Sequence, residues 1–183
     1  MQVSVYKNIK TYLGDRSTPE IIQEIKSGLL MDEVIALRQL LQLGKTKEYD
    51  EQKKSLLSFT PSGTFKKRRK LDFLNLYNSN IILDVDDLPP VLLQQAKENA
   101  AQCSYTYACF ISPGAEGLKI IVRTNATPET HKATFGALLL YYENLLNVFI
   151  DESGKDIPRL CLYSYDPDTY FNPDSEIFYH QNK

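Results

Sequence analysis

The chain has 183 residues, of which 43% are hydrophobic and 24% are charged, as in folded globular domains with a buried core. Its formal net charge of −2 argues against a protein that coats nucleic acid through bulk positive charge. No apolar run is long enough to cross a bilayer, and the first residues lack the apolar stretch of a signal peptide. Cys103, Cys109 and Cys161 form no C-x-x-C pair, and their odd number argues against a disulfide framework. We therefore expect a reduced, cytoplasmic protein that does not enter the membrane.

The first part of the chain predicts one strand followed by three helices. Gln2–Ile9 alternates between apolar and polar residues as a strand does. Ser17-Thr-Pro-Glu20 is typical of a helix start, with a hydroxyl cap, an early proline and a glutamate three residues after the cap. A second helix ends at about Leu43, and a third, more polar helix covers Lys45–Lys54. None of the three helices carries obvious chemistry, so we expect them to form a supporting lobe.

From Leu56 onward the pattern predicts strands and helices in mixed order, which indicates an α+β or α/β fold. The predicted helices run from Leu88-Pro-Pro90 to about Ala101 and from Thr127-Pro128 to Ile150-Asp151. The predicted strands are Asn80–Val85, Tyr105–Ile111, Gly117–Thr124 and Arg159–Tyr163. We expect an N-terminal lobe of residues 1–55 and a core of residues 56–183 that pack as one compact unit.

The strand Asn80–Val85 carries acidic residues on one face. Because alternate residues of a strand share a face, Asp84 and Asp86 project together while Leu83 and Val85 point away. Two carboxylates so close repel each other, and a divalent cation removes that conflict. Paired carboxylates suit Mg²⁺ or Mn²⁺ shared with substrate phosphates. The alternative is a strand end whose acids are solvated or cap the following helix.

A turn of small residues, Ser112–Lys119, separates two predicted strands. Such a turn lets backbone amides approach a phosphate, and Lys119 and Arg123 would lie on one face of the strand that follows. This arrangement suggests a phosphate-binding site. A tight hairpin with a cationic outer face is the commoner meaning of the pattern.

Asp151 follows the longest helix, and Arg159 begins the last predicted strand. Near Asp84 and Asp86, this carboxylate and guanidinium would complete a site for a metal ion and a triphosphate. Spacing alone favours a solvated loop.

A dense cationic run interrupts the otherwise balanced charge of the chain. It could bind a nucleic-acid backbone, although such runs are more often solvated loops. His131 and His180 have no partner at metal-ligand spacing, so we expect no zinc site. The run consists of Lys66, Lys67, Arg68, Arg69 and Lys70.

Taken in order, these motifs resemble those of the archaeo-eukaryotic primase superfamily. The closer resemblance is to the primase-like N-terminal domain found ahead of helicases of the virulence-associated protein E type, and it covers nearly the whole chain. The superfamily motifs correspond to Ile82-Leu-Asp84-Val-Asp86, Gly117-Leu-Lys119, and Ile150-Asp151 with Arg159. The closer likeness lies in Ser62–Phe65, Ile81–Leu88, Phe110–Pro113 with Gly117–Arg123, and Lys155–Asp168.

This resemblance implies an α+β fold, a primase-polymerase-like catalytic core of mixed sheet and helices with an N-terminal helical lobe. It implies that Asp84, Asp86 and Asp151 are catalytic and bind Mg²⁺ or Mn²⁺. The superfamily's second motif usually ends in histidine, whereas this chain has Lys119, which binds phosphate as a point charge. The residues expected to bind the nucleotide are Ser112, Gly117, Lys119 and Arg159.

The first functional hypothesis is a primase-polymerase-like nucleotidyltransferase in the DNA replication of a mobile element or phage. Its expected partners are a nucleoside triphosphate, single-stranded DNA and a helicase. The second hypothesis is a non-catalytic module that binds nucleic acid or nucleotide and positions a helicase. A third is a protein-interaction domain with fortuitous acids. Whether the domain is an enzyme stays open at the level of sequence.

Overall fold

A computed structural model describes residues 1–180 of the chain, and within them the fold is α+β, as expected. The five α-helices are α1 (Thr18–Ser27), α2 (Met31–Gln42), α3 (Thr46–Lys53), α4 (Pro90–Gln102) and α5 (His131–Leu146). The ten strands are β1 (Gln2–Lys7), β2 (Thr11–Ser17), β3 (Ser58–Phe59), β4 (Gly63–Phe65), β5 (Leu74–Tyr77), β6 (Asn80–Val85), β7 (Thr106–Ile111), β8 (Leu118–Arg123), β9 (Cys161–Leu162) and β10 (Tyr170–Phe171). They form three antiparallel sheets with strand orders β2-β1-β3-β9, β10-β7-β8-β6 and β4-β5.

Strand β6 lies at the edge of the second sheet, and all six of its residues are buried. Leu83 and Val85 face a core built with α4 and α5, where burial of each large apolar side chain contributes about 2 kcal/mol. Ile82 faces the other way, into the core shared with the first sheet. The antiparallel register sets Asp84 directly opposite Lys119 of β8. The carboxylate and the ammonium group are therefore brought together by strand pairing.

The first sheet joins the beginning of the chain to its end, because β1 pairs with β3 and β3 pairs with β9. Val3, Val5 and Phe59 from this sheet pack against Ile82 and Ile121 of the second sheet. The predicted boundary between residues 1–55 and 56–183 stays a prediction. The first sheet contains strands from both sides of it. The packing holds the segment after Arg159 close to β6.

Helix α1 begins as its sequence predicts. The Ser17 hydroxyl accepts a hydrogen bond from the Glu20 amide, and the Glu20 carboxylate accepts one from the Ser17 amide at 2.8 Å. Gly28 ends the helix at φ +83°, and a Cβ there would lie 3.1 Å from the Tyr165 ring. The cap and the glycine together define both ends of α1.

Helices α2 and α3 pack on a small apolar cluster that includes Val34, Leu37 and Tyr49. Arg38 of α2 donates hydrogen bonds to the carbonyl oxygens of Pro113, at 3.2 Å, and Tyr165, at 2.8 Å. These bonds hold the helical lobe against the turn that contains Ser112.

Strands β2, β5 and β10 are among those that were not predicted. Most side chains of β2 are exposed or half-buried, so it lacks the apolar alternation that marks a strand with one buried face. The predicted strand Arg159–Tyr163 is shortened to Cys161–Leu162. No helix within residues 1–180 has the length and apolar character needed to span a membrane.

Candidate metal centre

Three carboxylates meet beside the end of β6. Asp84, Asp86 and Asp151 each offer an oxygen atom, and these three atoms lie within 4.8 Å of one another. The Asp151 amide donates a hydrogen bond of 2.8 Å to the Asp84 carbonyl oxygen, which ties the segment after α5 to β6. The cluster could hold a metal ion, because hard divalent cations prefer oxygen ligands.

Local structure fixes the orientation of Asp151. The Asp151 side chain caps the short 3-10 turn Glu152–Lys155 by accepting bonds from the Ser153 amide, at 2.9 Å, and the Ser153 hydroxyl. A Cβ atom on Gly154 would lie 2.5 Å from the Ile82 carbonyl oxygen and 2.7 Å from the Phe135 ring. Only glycine therefore allows the turn to lie this close to β6.

Two cationic side chains neutralise part of this negative charge. Lys119 forms an ion pair with Asp84 and lies 3.6 Å from Asp86. The Arg159 guanidinium lies 3.4 Å from oxygens of both Asp84 and Asp151. With every group ionised, the three carboxylates and these two ion-paired cations together carry one net negative charge.

The pKa directions reflect this crowding. Burial raises the pKa of Asp86, and the neighbouring Asp151 carboxylate raises it further. Burial acts to raise the pKa of Asp151 as well, but its hydrogen bonds from Ser153 and the charge of Arg159 lower it overall. Burial lowers the pKa of Lys119 to about 8. The acids are thus held together at an electrostatic cost that a divalent cation would relieve.

Four of these charged side chains, those of Asp84, Asp86, Lys119 and Arg159, line a cavity of about 180 Å³. Ser112 also lines it, and a Cβ atom on the neighbouring Gly117 would lie 2.4 Å from the Val85 carbonyl oxygen and 3.3 Å from the Ser112 hydroxyl oxygen. Lys53 of α3 reaches the cavity too. Helix α3 thus contributes one charged side chain to the cavity in addition to its place in the helical lobe. No local pattern distinguishes Lys53 from the other lysines of this polar helix.

A second cavity of about 550 Å³ adjoins the first, and Arg159 lines both. Lys132, Lys155 and Arg69 give it a cationic lining, with Asp156 as its one acidic residue. Its volume lies in the range of small-molecule sites.

The predicted cationic run forms the turn after β4 and lies near this second cavity. Lys66, Lys67, Arg68 and Lys70 are exposed. Arg69 is half-buried and donates a hydrogen bond of 2.6 Å to the Pro158 carbonyl oxygen.

Arg123 does not join the centre, so the predicted phosphate grip by Lys119 and Arg123 is wrong. Arg123 lies over the Tyr107 ring and donates to the Ser175 hydroxyl at 3.1 Å. Four residues along a strand span about 13 Å. The two cations belong to different parts of the sheet even though strand alternation favours a common face.

Comparison with known protein families identifies a match over about two thirds of the chain. The family model described as BT4734-like, N-terminal domain matches residues 51–171, and the chain therefore belongs to that family. The matched range contains the three aspartates, Lys119, Arg159 and the cationic run. No curated protein and no solved structure matches the chain.

The family match corrects the resemblance drawn from the motifs. It names the BT4734-like N-terminal domain, a different family from the primase-like N-terminal domain of virulence-associated protein E type helicases. No match places the chain in the archaeo-eukaryotic primase superfamily. Short acidic and basic motifs in a given order recur wherever metal and phosphate are bound, so their order did not identify the family.

Proposed function

We propose that this member of the BT4734-like N-terminal domain family is a nucleotidyltransferase that uses Mg²⁺ or Mn²⁺ and a nucleoside triphosphate. The observation that carries the proposal is the meeting of Asp84, Asp86 and Asp151 with Lys119 and Arg159 around one cavity. Carboxylates beside phosphate-binding cations are the arrangement that metal-dependent phosphoryl transfer requires.

The charge balance supports a metal–triphosphate ligand over a metal ion alone. The three carboxylates and their two ion-pair partners carry one net negative charge, so a divalent cation makes this group positive by one, and Lys53 adds a further positive charge at the cavity. A bound triphosphate then supplies the negative charge that the occupied centre lacks. Mg²⁺ suits this arrangement because it binds through one or two carboxylates together with substrate phosphates.

Each residue has a distinct role in this proposal. Asp84, Asp86 and Asp151 would hold the cation, which supplies charge stabilisation to the reacting phosphates and activates the attacking hydroxyl. Lys119, freed from Asp84, would contact the triphosphate as a point charge. Arg159 lies between the two cavities and would bind phosphate oxygens with its planar guanidinium.

Ser112 lines the same small cavity, Gly117 lies beside Ser112, and the larger cavity has room for the nucleoside. A 3′-hydroxyl of a nucleic-acid strand would attack the α-phosphorus. A new P–O bond forms, the bond to the β-phosphate oxygen breaks, and pyrophosphate leaves. We propose that this reaction takes part in the DNA replication of a mobile element or phage.

A second candidate is a non-catalytic module that binds nucleotide or nucleic acid and positions a helicase. The observation that favours it is the ion pair of Lys119 with Asp84, which neutralises the most buried of the three clustered aspartates without any metal. In this case, nucleotide binding would persist without turnover.

The test supplies Mg²⁺ or Mn²⁺, labelled ribo- or deoxynucleotides and a single-stranded template, with and without a primer. We expect metal-dependent product that falls roughly 100-fold or more in Asp84→Asn, because metal stabilisation is worth several kcal/mol. Asp32→Asn, an exposed acid of α2, is the matched control and should behave as wild type.

Thermal unfolding separates the two candidates. Under the first, metal with nucleotide raises the melting temperature and product forms. A raised melting temperature without product supports the second candidate. If neither the melting temperature rises nor product forms, the nucleotidyltransferase proposal is rejected.

A further inference from the structure

A groove of about 350 Å³ lies between the β1–β2 hairpin and the turn after β4. Its lining combines aromatic and cationic side chains from two segments that are more than 50 residues apart in sequence. We name it the hairpin groove, and its residues are Tyr6, Ile9, Lys10, Tyr12, Phe65, Lys67, Arg68, Arg69 and Lys70.

The cations of the hairpin groove are free to bind an anionic ligand. Among residues 1–180, no member of the run Lys66–Lys70 forms an ion pair, and neither does Lys10. The carboxylate of Asp15, which lies near the tyrosines, is already hydrogen-bonded at 2.7 Å by the Ser4 hydroxyl. This local positive charge persists although the whole chain is weakly acidic.

Tyr12 presents an aromatic surface beside these cations. Its side chain is 51% exposed, whereas Tyr6 beneath it is buried. The two rings meet edge to face with centroids 5.9 Å apart, so Tyr6 supports the orientation of Tyr12. An exposed and supported ring among lysines and arginines is the combination that binds unpaired bases by stacking and the backbone by charge.

The hairpin groove lies beside the cavity that adjoins the metal centre. Arg69 lines both the groove and the 550 Å³ cavity, and Arg159 lines both that cavity and the metal centre. The hydrogen bond from Arg69 to the Pro158 carbonyl oxygen joins the turn after β4 to the residue that precedes Arg159 in the chain. A strand bound in the groove would therefore lead towards the three aspartates.

We propose that the hairpin groove binds single-stranded nucleic acid, with Tyr12 stacking on a base and Lys67, Arg68 and Lys70 contacting phosphates. Its use as the acceptor or template strand rests on the proposed nucleotidyltransferase function, whereas binding itself does not. A duplex could contact the cations through its phosphates but could not stack on Tyr12, because its bases are already stacked on one another.

The test measures binding of fluorescent oligo(dT), oligo(U), duplex DNA and an abasic strand of equal length by anisotropy, in EDTA and over a range of salt. We expect the single strands to bind more tightly than the duplex, with DNA and RNA separated by the first two probes. The triple variant Lys67→Ala/Arg68→Ala/Lys70→Ala should bind about tenfold more weakly or worse, with a salt slope lower by about 2. The triple variant Lys26→Ala/Lys47→Ala/Lys54→Ala removes three exposed lysines outside the groove and should bind as wild type.

Tyr12 provides the sharper measurement. Tyr12→Ala should weaken binding of oligo(dT) about tenfold, whereas Tyr12→Phe should retain it. On the abasic strand, Tyr12→Ala should equal wild type, because no base is present to stack. Circular dichroism checks that each variant is folded.

Equal binding of duplex and single strand, or an unchanged affinity in both groove variants, would overturn the proposal. Asp84→Asn should bind oligo(dT) normally in EDTA. The groove variants should keep the rise in melting temperature caused by metal and nucleotide. Failure at the groove and failure at the metal centre are therefore distinguishable.

Discussion

Two buried lysine–aspartate pairs lie beside the second sheet and differ in what surrounds them. Lys97 donates to both carboxylate oxygens of Asp166, at 2.9 and 2.7 Å, and the Ile111 amide donates to the same carboxylate at 2.8 Å. The Lys119–Asp84 pair is similarly buried but borders a cavity that is also lined by Asp86 and Arg159, with Asp151 close by.

The difference shows that two similar ion pairs can have different roles, one in stability and one in ligand binding. One charge of each sign, with further backbone donors, makes the Lys97–Asp166 pair complete, and it joins α4 to the C-terminal segment. At the metal centre, three carboxylates exceed the two cations that form ion pairs with them. A complete pair adds rigidity, whereas an unbalanced cluster retains the capacity to bind a cation.

Breaking the complete pair should have the largest effect on stability. Asp166→Asn leaves the Lys97 ammonium buried without a counter-charge, and we expect the free energy of unfolding to fall by about 3–5 kcal/mol. Urea denaturation measures this loss. The double variant Lys97→Met/Asp166→Asn should recover at least half of it, because no buried charge is left unpaired.

Asp84→Asn is the matched change at the metal centre. In EDTA it should lower the free energy of unfolding by less than Asp166→Asn does. Lys119 keeps a second acidic partner, since Asp86 lies 3.6 Å away. Equal losses for Asp166→Asn and Asp84→Asn would break the distinction between a complete pair and an unbalanced cluster.

His131 is a third buried titratable group, and within the described residues it has no ion-paired counter-charge. Its pKa therefore reports how strongly burial disfavours the charged form. His131 forms no ion pair among residues 1–180, and its Nδ1 atom shares a hydrogen bond of 2.8 Å with the Tyr77 hydroxyl. Burial lowers the pKa of His131 to about 4, against smaller opposing contributions from the Gly154 backbone and Asp156.

The sign of the pH dependence follows from this lowered pKa. The unfolded histidine gains a proton near pH 6.5, but the folded one does not until about pH 4. The contribution of His131 to stability is therefore complete above pH 6.5 and decreases by about 3 kcal/mol between pH 6.5 and 4. His131→Gln should lack this part of the acid-side loss in urea denaturation. An identical pH profile in the variant would show that burial alone does not control this group.

The variant with the smallest expected effect on stability tests whether the clustered carboxylates repel each other at the metal centre. Asp86→Asn removes repulsion with Asp151, so the melting temperature in EDTA should rise by about 1–2 °C. The same variant should lose most of the rise produced by Mg²⁺. A lower melting temperature in EDTA, with the Mg²⁺ response intact, would count against an electrostatic conflict at this site. Asp32→Asn again serves as the control.

Features that depend on neighbouring residues were predicted well. The Ser17–Glu20 cap, the bounds of β6 and the common face of Asp84 and Asp86 all follow from local geometry. Arg123 shows the limit of such reasoning, because strand alternation favours a common face with Lys119 but says nothing about the distance from the site. The family was also misidentified, since motif order reflects the chemistry of metal and phosphate binding more than descent.

The sequence by itself determined the α+β composition, the acidic strand and the cationic run, because each depends on side-chain periodicity or local charge. Only the tertiary structure brought Asp151 to Asp84, through a backbone hydrogen bond and the close packing of Gly154 on β6. It also placed Lys53 at the cavity and Tyr12 beside the basic run. These contacts join segments far apart in the chain, and their distances are set by sheet pairing and core packing, which no local pattern encodes.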